Sequence, residues 1–269
     1  GEVLIGYSSS GGLALGVGAE AIYRGALEFV ERDAVNLGWH SDIPPYRVRM
    51  GLDEALALLG LRPRPLDYKL HVFLWRTDVE GVYVVTAHLL ADRDVYCYRP
   101  GGGAGFSFKE ALARALGEVG QAFMFMYDVA RVRRKLGGDS TLYYVEKDAD
   151  PTEADNIFRI VWYWGYRENL ARLYDMFFSR SKEVRPPKGG GPERLSHRLS
   201  SLPSYYWYEY RGYDPLRLVK VFIPSLTQYN APRFPMFGHP RYYNAKKILG
   251  ICDCQLTYEE LRKIPVPYP

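Results

Sequence analysis

Cysteine is nearly missing from this chain. Cys97, Cys252 and Cys254 are the only three in 269 residues, too few for a disulfide framework. No signal peptide and no apolar run long enough to span a bilayer appears in these residues, and a reducing cytoplasm is the expected compartment. A dense basic stripe is missing too. The formal charge is +4 and mixed in sign, which points to an anionic ligand or acidic peptide and to neither a nucleic-acid nor a membrane partner. No G-x-S-x-G elbow occurs, and no Gly-Lys-Ser/Thr follows a glycine run, which excludes a serine-hydrolase nucleophile and a Walker A loop. His40, His71, His88, His197 and His239 stand in no motif and read as packed or surface residues. Cys252-x-Cys254 has no second cysteine pair or histidine cluster to complete a structural metal site.

What is present is a core and two glycine runs. Apolar residues make up 47% and aromatics 15% of the chain, enough for a globular α+β protein. Arginine outnumbers lysine, which suits bidentate contacts to phosphate or carboxylate. The first run, Ser10-Gly11-Gly12-Leu13-Ala14-Leu15-Gly16-Val17-Gly18, precedes Glu20, Arg24, Glu28, Glu31 and Arg32. The second, Gly101-Gly102-Gly103-Ala104-Gly105, precedes Glu110, Arg114, Glu118 and Gln121. Members at offsets 0, 4, 8 and 11 fall within about 80° on a helix. Each helix alone reads as a solvated face of ion pairs. Their recurrence after glycine predicts an internally repeated glycine-loop/helix module that aims two carboxylate faces into one site.

The spacing predicts helices over Ala19–Leu37, with Ile22, Ala26, Phe29, Val30 and Leu37 buried, and over Leu52–Leu59. Strands are expected at Val3–Tyr7, His71–Trp75, Tyr83–Leu90, Val95–Tyr98, Thr141–Val145 and Leu218–Ile223, with a turn at Glu80-Gly81. Ser107 and Glu110 form a capping box for a helix running to about Val132. Two more helices are expected, over Thr152–Trp164 and Glu168–Arg180. Lys182–Pro192 reads as a flexible loop, and the Tyr205–Tyr208 cluster as core and interface. Thr257 and Glu260 suggest a last capped helix. Alternating prolines from Pro265 to Pro269 enforce an extended tail.

Magnesium is held by one or two carboxylates plus substrate phosphates. Glu28 with Glu31 suits one metal, and Glu118 with Gln121 another. Arg32, with Arg24 or Arg114, would neutralise phosphate oxygens, and glycine amides would face the same anion. Asp33, on the apolar arc of the first helix, reads as a buried carboxylate satisfied by backbone donors.

The run Ser10–Gly16 with Glu28-Phe29-Val30-Glu31-Arg32-Asp33-Ala34 resembles the YcaO-domain family. Lys109–Gln121 resembles that family's second conserved helix. Pro265-x-Pro267-x-Pro269 resembles the C-terminus of its azoline-forming members, as do Val221–Leu226 and His239–Tyr243 near it. The resemblance implies a YcaO-type fold with mixed and antiparallel sheets. It also implies an ATP- and Mg2+-dependent enzyme that activates peptide backbone amides and closes Cys, Ser or Thr into thiazoline or oxazoline. By that resemblance Glu28, Glu31 and Glu118 ligate magnesium, and Arg32, Glu118 and Gln121, with Arg24 and Arg114, bind the nucleotide. Pro265, Pro267 and Pro269 order the reacting centre. A precursor peptide and a leader-peptide-binding protein are the implied partners. Relatives carry a Ser-x-x-x-Glu segment ahead of the first glycine run. That segment is expected to be missing here, so that either this is a processed or split form or another chain completes the pocket. Two departures accompany this: Val17 or Gly18 stands for a polar residue, and Phe123 for an arginine. Thioamide formation and a non-catalytic scaffold subunit remain open as alternatives.

Overall fold

The computed structural model describes residues 12–62, 68–92, 97–135, 145–153, 157–190, 194–227 and 237–267, with backbone alone at 122–135, 153 and 157–158. The strand expected at Val3–Tyr7, most of the one at Thr141–Val145, Ser10, Gly11, the side chain of Phe123, and Pro269 lie outside the described residues.

The first glycine run enters the fold as a short strand, β1 (Leu13–Gly16), which feeds α1 (Ala19–His40). Then follow β2 (Tyr46–Val48), α2 (Leu52–Leu58), β3 (Tyr68–Trp75), β4 (Tyr83–Ala91) and β5 (Tyr98–Gly105). Next come α3 (Phe108–Lys135), α4 (Ile157–Trp164) and α5 (Arg167–Met176). The chain continues through β6 (Glu183–Val184), α6 (Leu195–Ser200), β7 (Tyr206–Tyr210), β8 (Arg217–Phe222) and α7 (Pro240–Ile248). One sheet has the order β1-β8-β7 and the other β5-β4-β3-β2-β6. Neighbours are antiparallel except β2 and β6. No helix among the described residues is long and apolar enough to cross a membrane.

Strand alternation explains the layers. On β3 and β4, Phe73, Trp75 and Val84 join the core around α1, whereas Leu70, Val72, Val85 and Ala87 join a second core with Phe108, Ala111, Leu112 and Ala115 of α3. The five-stranded sheet therefore has α1 on one face and α3 on the other. The three-stranded sheet covers the far side of α1 through Val219 and Val221. Every residue of α1 from Phe29 to His40 is buried, so the solvated-face pattern ends at the exposed Glu20–Arg24 pair, 3.0 Å apart.

The strands expected at His71–Trp75, Tyr83–Leu90 and Leu218–Ile223 are present, as are the central helices. Two expectations need correction. The second glycine run is a buried strand rather than a loop, and its sheet is not the one that holds β1. The two units thus share a strand-then-helix order without matching anion loops. Residues 258–260 form a turn rather than a helix, although Thr257 N still donates to Glu260 Oε2 at 2.7 Å. Cys252 and Cys254 are bonded to each other, a link that ties no distant segments together. Lys182–Gly190 contributes β6 and a bridge from Gly190 to Ser107. The tyrosine cluster is largely open: Tyr206 and Tyr208 are 69% and 64% exposed.

His40 and His88 are buried and packed as expected. Burial pushes the His88 imidazole down to about 3, with His71 adding to it, and His40 to about 4, against its bond to the Arg262 carbonyl and with the Arg262 and Lys263 charges adding to the fall. A depressed imidazole stays neutral in the fold while the unfolded chain takes up protons below about pH 6.5, so stability falls as pH drops through that window. We expect each group to contribute a slope of about 1.4 kcal/mol per pH unit between about pH 6 and pH 4.5. Denaturant titrations of a His88→Gln variant should show that slope reduced. An unchanged slope would assign the acid sensitivity to other groups.

Candidate functional site

The site begins with the spacing on α1. Glu28 and Arg32 lie one turn apart, 3.6 Å between Oε1 and Nη2. Glu31 on the neighbouring side of the helix is only 5% exposed and is aimed at β5. An added Cβ on Gly102 would sit 2.2 Å from Glu31 Oε1. The carboxylate thus fills the space that a side chain on this strand would take.

Helix α3 approaches from the other face. Added Cβ atoms on Gly101 and Gly103 would meet the helix backbone, at 2.3 Å from Ala115 O and Ala111 O. The glycines let α3 lie directly on β5. That contact brings Glu118 to the strand, where it accepts from Gly102 N at 2.8 Å. Among the described residues β5 is the edge of its sheet, and its outward amides have no strand partner there. Glu31 and Glu118, carried by helices on opposite faces, meet at that edge around Gly102.

Two carboxylates this close raise each other's cost of ionisation. Burial pushes the Glu31 carboxyl well above its usual range, the Glu118 charge pushes it further, and Arg32 opposes the shift. Burial likewise raises Glu118, against Arg32 and the Gly102 amide. The pair is short of positive charge, and a divalent cation would supply it. Among the described residues no three Asp, Glu, His or Cys side chains gather into a full metal cage. Magnesium needs none, since it keeps waters and takes one or two carboxylates plus phosphate oxygens. The donors present fit that ion.

One helical turn toward the start of α3, Arg114 leads into a second cluster. Arg114 Nη2 donates to Glu110 Oε1 at 3.2 Å, and Tyr23 Oη donates to the same oxygen at 2.7 Å. Arg198 of α6 donates to Tyr23 Oη at 3.2 Å and to Glu110 Oε2 at 3.3 Å. Burial, and then the bond and charge of Glu110, push the Tyr23 phenol up to about 12, so it stays a donor. The expected capping bond is present: Glu110 N donates to Ser107 Oγ at 3.1 Å. Arg198 belongs to no sequence motif and comes from 175 residues beyond Tyr23.

Asp33, 1% exposed, accepts from Thr227 N at 2.7 Å, as a buried carboxylate with backbone donors should. Its second partner was not foreseen. Arg241 of α7 donates to Asp33 Oδ2 at 2.7 Å and to Asp78 Oδ1 at 2.6 Å, clamping α1 to the segment after β3.

The tail docks along the end of α1. Trp39 Nε1 donates to Ile264 O at 2.7 Å, and Arg262 N donates to His40 O at 2.7 Å. Pro265, Val266 and Pro267 are buried.

The description of the family model that matches residues 3–226 reads YcaO cyclodehydratase, ATP- and Mg2+-binding. The chain belongs to the YcaO family. Its fold also resembles solved YcaO proteins. A heterocyclase in complex with substrate and cofactor superposes with TM-score 0.67 at 22% identity, over 97% of this chain and 33% of that one. YcaO from Methanopyrus kandleri, bound with AMPPCP and Mg2+, gives TM-score 0.52 at 22% identity over 84% and 58%. The E. coli microcin synthetase McbBCD complex gives 0.60 at 16% over 98% and 65%. At such identities the likeness is one of fold. The chain spans about a third of that heterocyclase. Among curated proteins none matches significantly.

Of the expected site residues, this YcaO domain brings Glu28, Glu31, Arg32 and Glu118 together. Arg114 is next to them and lowers the Glu31 carboxyl slightly. Gln121 is exposed, nearly one turn beyond Glu118, and Arg24 is held by Glu20 at the surface.

Proposed function

We propose that this YcaO domain uses ATP and Mg2+ to activate backbone amides of a precursor peptide, closing Cys, Ser or Thr side chains into thiazolines or oxazolines. The observation that carries this reading is the meeting of Glu31 and Glu118 around Gly102 beside Arg32. Glu31 and Glu118 would hold the metal, and Glu28 would keep Arg32 turned toward phosphate oxygens. Arg114 would add positive charge from the Glu110 side, with Gln121 and Arg24 nearer the rim. Bound magnesium supplies charge neutralisation on the phosphates. The chain's own task is positioning and charge balance, the main demands of phosphoryl transfer.

The substrate thiol or hydroxyl loses its proton and bonds to the preceding carbonyl carbon, whose π electrons move to oxygen. That oxygen bonds to the γ-phosphorus as the bridging P–O bond breaks and ADP departs. The C–O bond then breaks, phosphate leaves with the electron pair, and the amide nitrogen gives up its proton to form C=N. Pro265, Pro267 and Pro269 would order the active site, with Pro269 close to the reacting centre. A leader-peptide-binding protein would deliver the precursor.

The deciding experiment combines the protein, that partner, ATP, magnesium and a cysteine-containing precursor labelled with heavy oxygen at the reacting amide. Loss of one water with the label recovered in phosphate supports the reading. Uptake of sulfur from added sulfide, with the label again in phosphate, would replace it with thioamide formation. A tight complex without either product would favour a scaffold subunit, the reading that the exposed Tyr206 and Tyr208 face supports.

A further inference from the structure

Away from the carboxylate pair, a cavity of about 210 Å³ opens where α1 ends. His40, where α1 ends, is nine residues beyond Glu31, about 13 Å along the helix axis. The cavity is lined by Asp42, Tyr46, Arg76, Arg180, Lys182 and Lys246, with Ile43, Pro44, Pro45 and Ile251 forming its apolar part. Its charge is one-sided: four cations face a single carboxylate.

That carboxylate is already engaged. Asp42 takes the left-handed conformation, φ 58°, which short polar side chains tolerate. It accepts a bidentate pair of bonds from Arg180, at 2.6 and 2.8 Å, and another from Arg262. Among the described residues, Arg76 and Lys182 form no ion pair, and Lys246 forms none within 4.0 Å, acting from further off on the Glu260 carboxylate. Arg76 is nonetheless held in place, 4.3 Å over the Tyr46 ring. Lys182 is anchored through its carbonyl, which accepts from Arg47 N at 2.9 Å. Three like charges positioned around one cavity attract an anion.

The remaining lining selects which anion. Phosphate sites commonly add converging backbone amides to their cationic side chains, and Pro44 and Pro45 have none to offer. Ile43 and the 44%-exposed Ile251 suit the aliphatic stem that carries a carboxylate. We propose that this cavity binds the acidic side chain of a peptide, so that an aspartate- or glutamate-bearing stretch of the precursor docks here, apart from the reacting centre. The identity of that peptide as the precursor rests on the proposed function; the cavity's preference does not.

The test is fluorescence anisotropy with a labelled tetraglutamate peptide, without nucleotide, in low salt. Tetraglutamine serves as the neutral probe and inorganic phosphate as competitor. A Lys182→Glu/Lys246→Glu double variant should weaken tetraglutamate binding at least about tenfold, and Arg76→Gln about threefold. Arg211→Glu, a charge reversal at an exposed position elsewhere, should change it less than about twofold. Thermal midpoints verify that each variant folds. The proposal is overturned if Arg211→Glu weakens binding as much as the double variant does. It is equally overturned if tetraglutamate fails to bind, if tetraglutamine binds as well, or if phosphate displaces the peptide at equal concentration. Dehydration is not read in this assay, so its failure and that of the proposed function are separate results.

Discussion

Replacing Glu31 with glutamine is expected to cut ATP-dependent turnover by about 10²- to 10³-fold while making the nucleotide-free protein more stable. Both effects follow from one fact. Glu31 is buried and shares the edge of β5 with Glu118, so each ionised carboxylate raises the cost of the other. Without a cation, a neutral amide of the same shape relieves that repulsion, worth about 0.5–2 kcal/mol at a site of this kind. With magnesium and nucleotide present, the same change removes a ligand charge. The thermal midpoint of Glu31→Gln should therefore exceed that of the parent protein without ligand and rise less when Mg2+ and a non-hydrolysable ATP analogue are added. A residue needed only for packing would lose stability and activity together. A lower midpoint with unaltered turnover would remove Glu31 from the site.

Much of the frame could be read locally. The 3.6-residue spacing of Ile22, Ala26, Phe29 and Val30 locates α1, and the apolar runs of β3 and β4 locate the central strands. Glycine misled because its intrinsic β-propensity is low. What makes Gly101 to Gly105 a strand is its pairing with Tyr83 to Ala87, together with a helix that needs the missing side chains. Neither is a local property. The site shows the same division. Helical spacing can pair Glu28 with Glu31, or Glu118 with Gln121, because it relates positions on one helix only. The fold adds what one helix cannot show, bringing Glu118 to Glu31 around Gly102, and Arg32 is set beside Glu28. Arg198 and Thr227 carry no local signal, and Arg241 stands only within the His239–Tyr243 resemblance, since they meet their partners across 88 to 208 residues.

Two neighbouring glycines should separate the fold from the chemistry. Gly103→Ala is expected to destabilise the protein strongly. Its Cβ would lie 2.3 Å from Ala111 O and 2.6 Å from Ala115 N, both backbone atoms of α3. The helix must move off the strand, at about 1–3 kcal/mol or more for overpacking of this kind. Gly102→Ala meets no backbone atom within that range. Its Cβ would contact Glu31 Oε1 at 2.2 Å and reach no closer than 3.7 Å to Glu118 Oε2. A carboxylate can swing aside, so Gly102→Ala should fold with a smaller loss of thermal midpoint than Gly103→Ala. Yet the swing takes Glu31 away from Glu118, and a displacement of about 1 Å at a reacting site costs about 10²-fold in rate. The expected pattern is a stable, nearly inactive Gly102→Ala protein beside an unstable Gly103→Ala protein. Equal stability losses in both would mean that Gly102 serves helix packing alone. Full turnover in a folded Gly102→Ala protein would show that the placement of Glu31 against this strand has no part in the reaction.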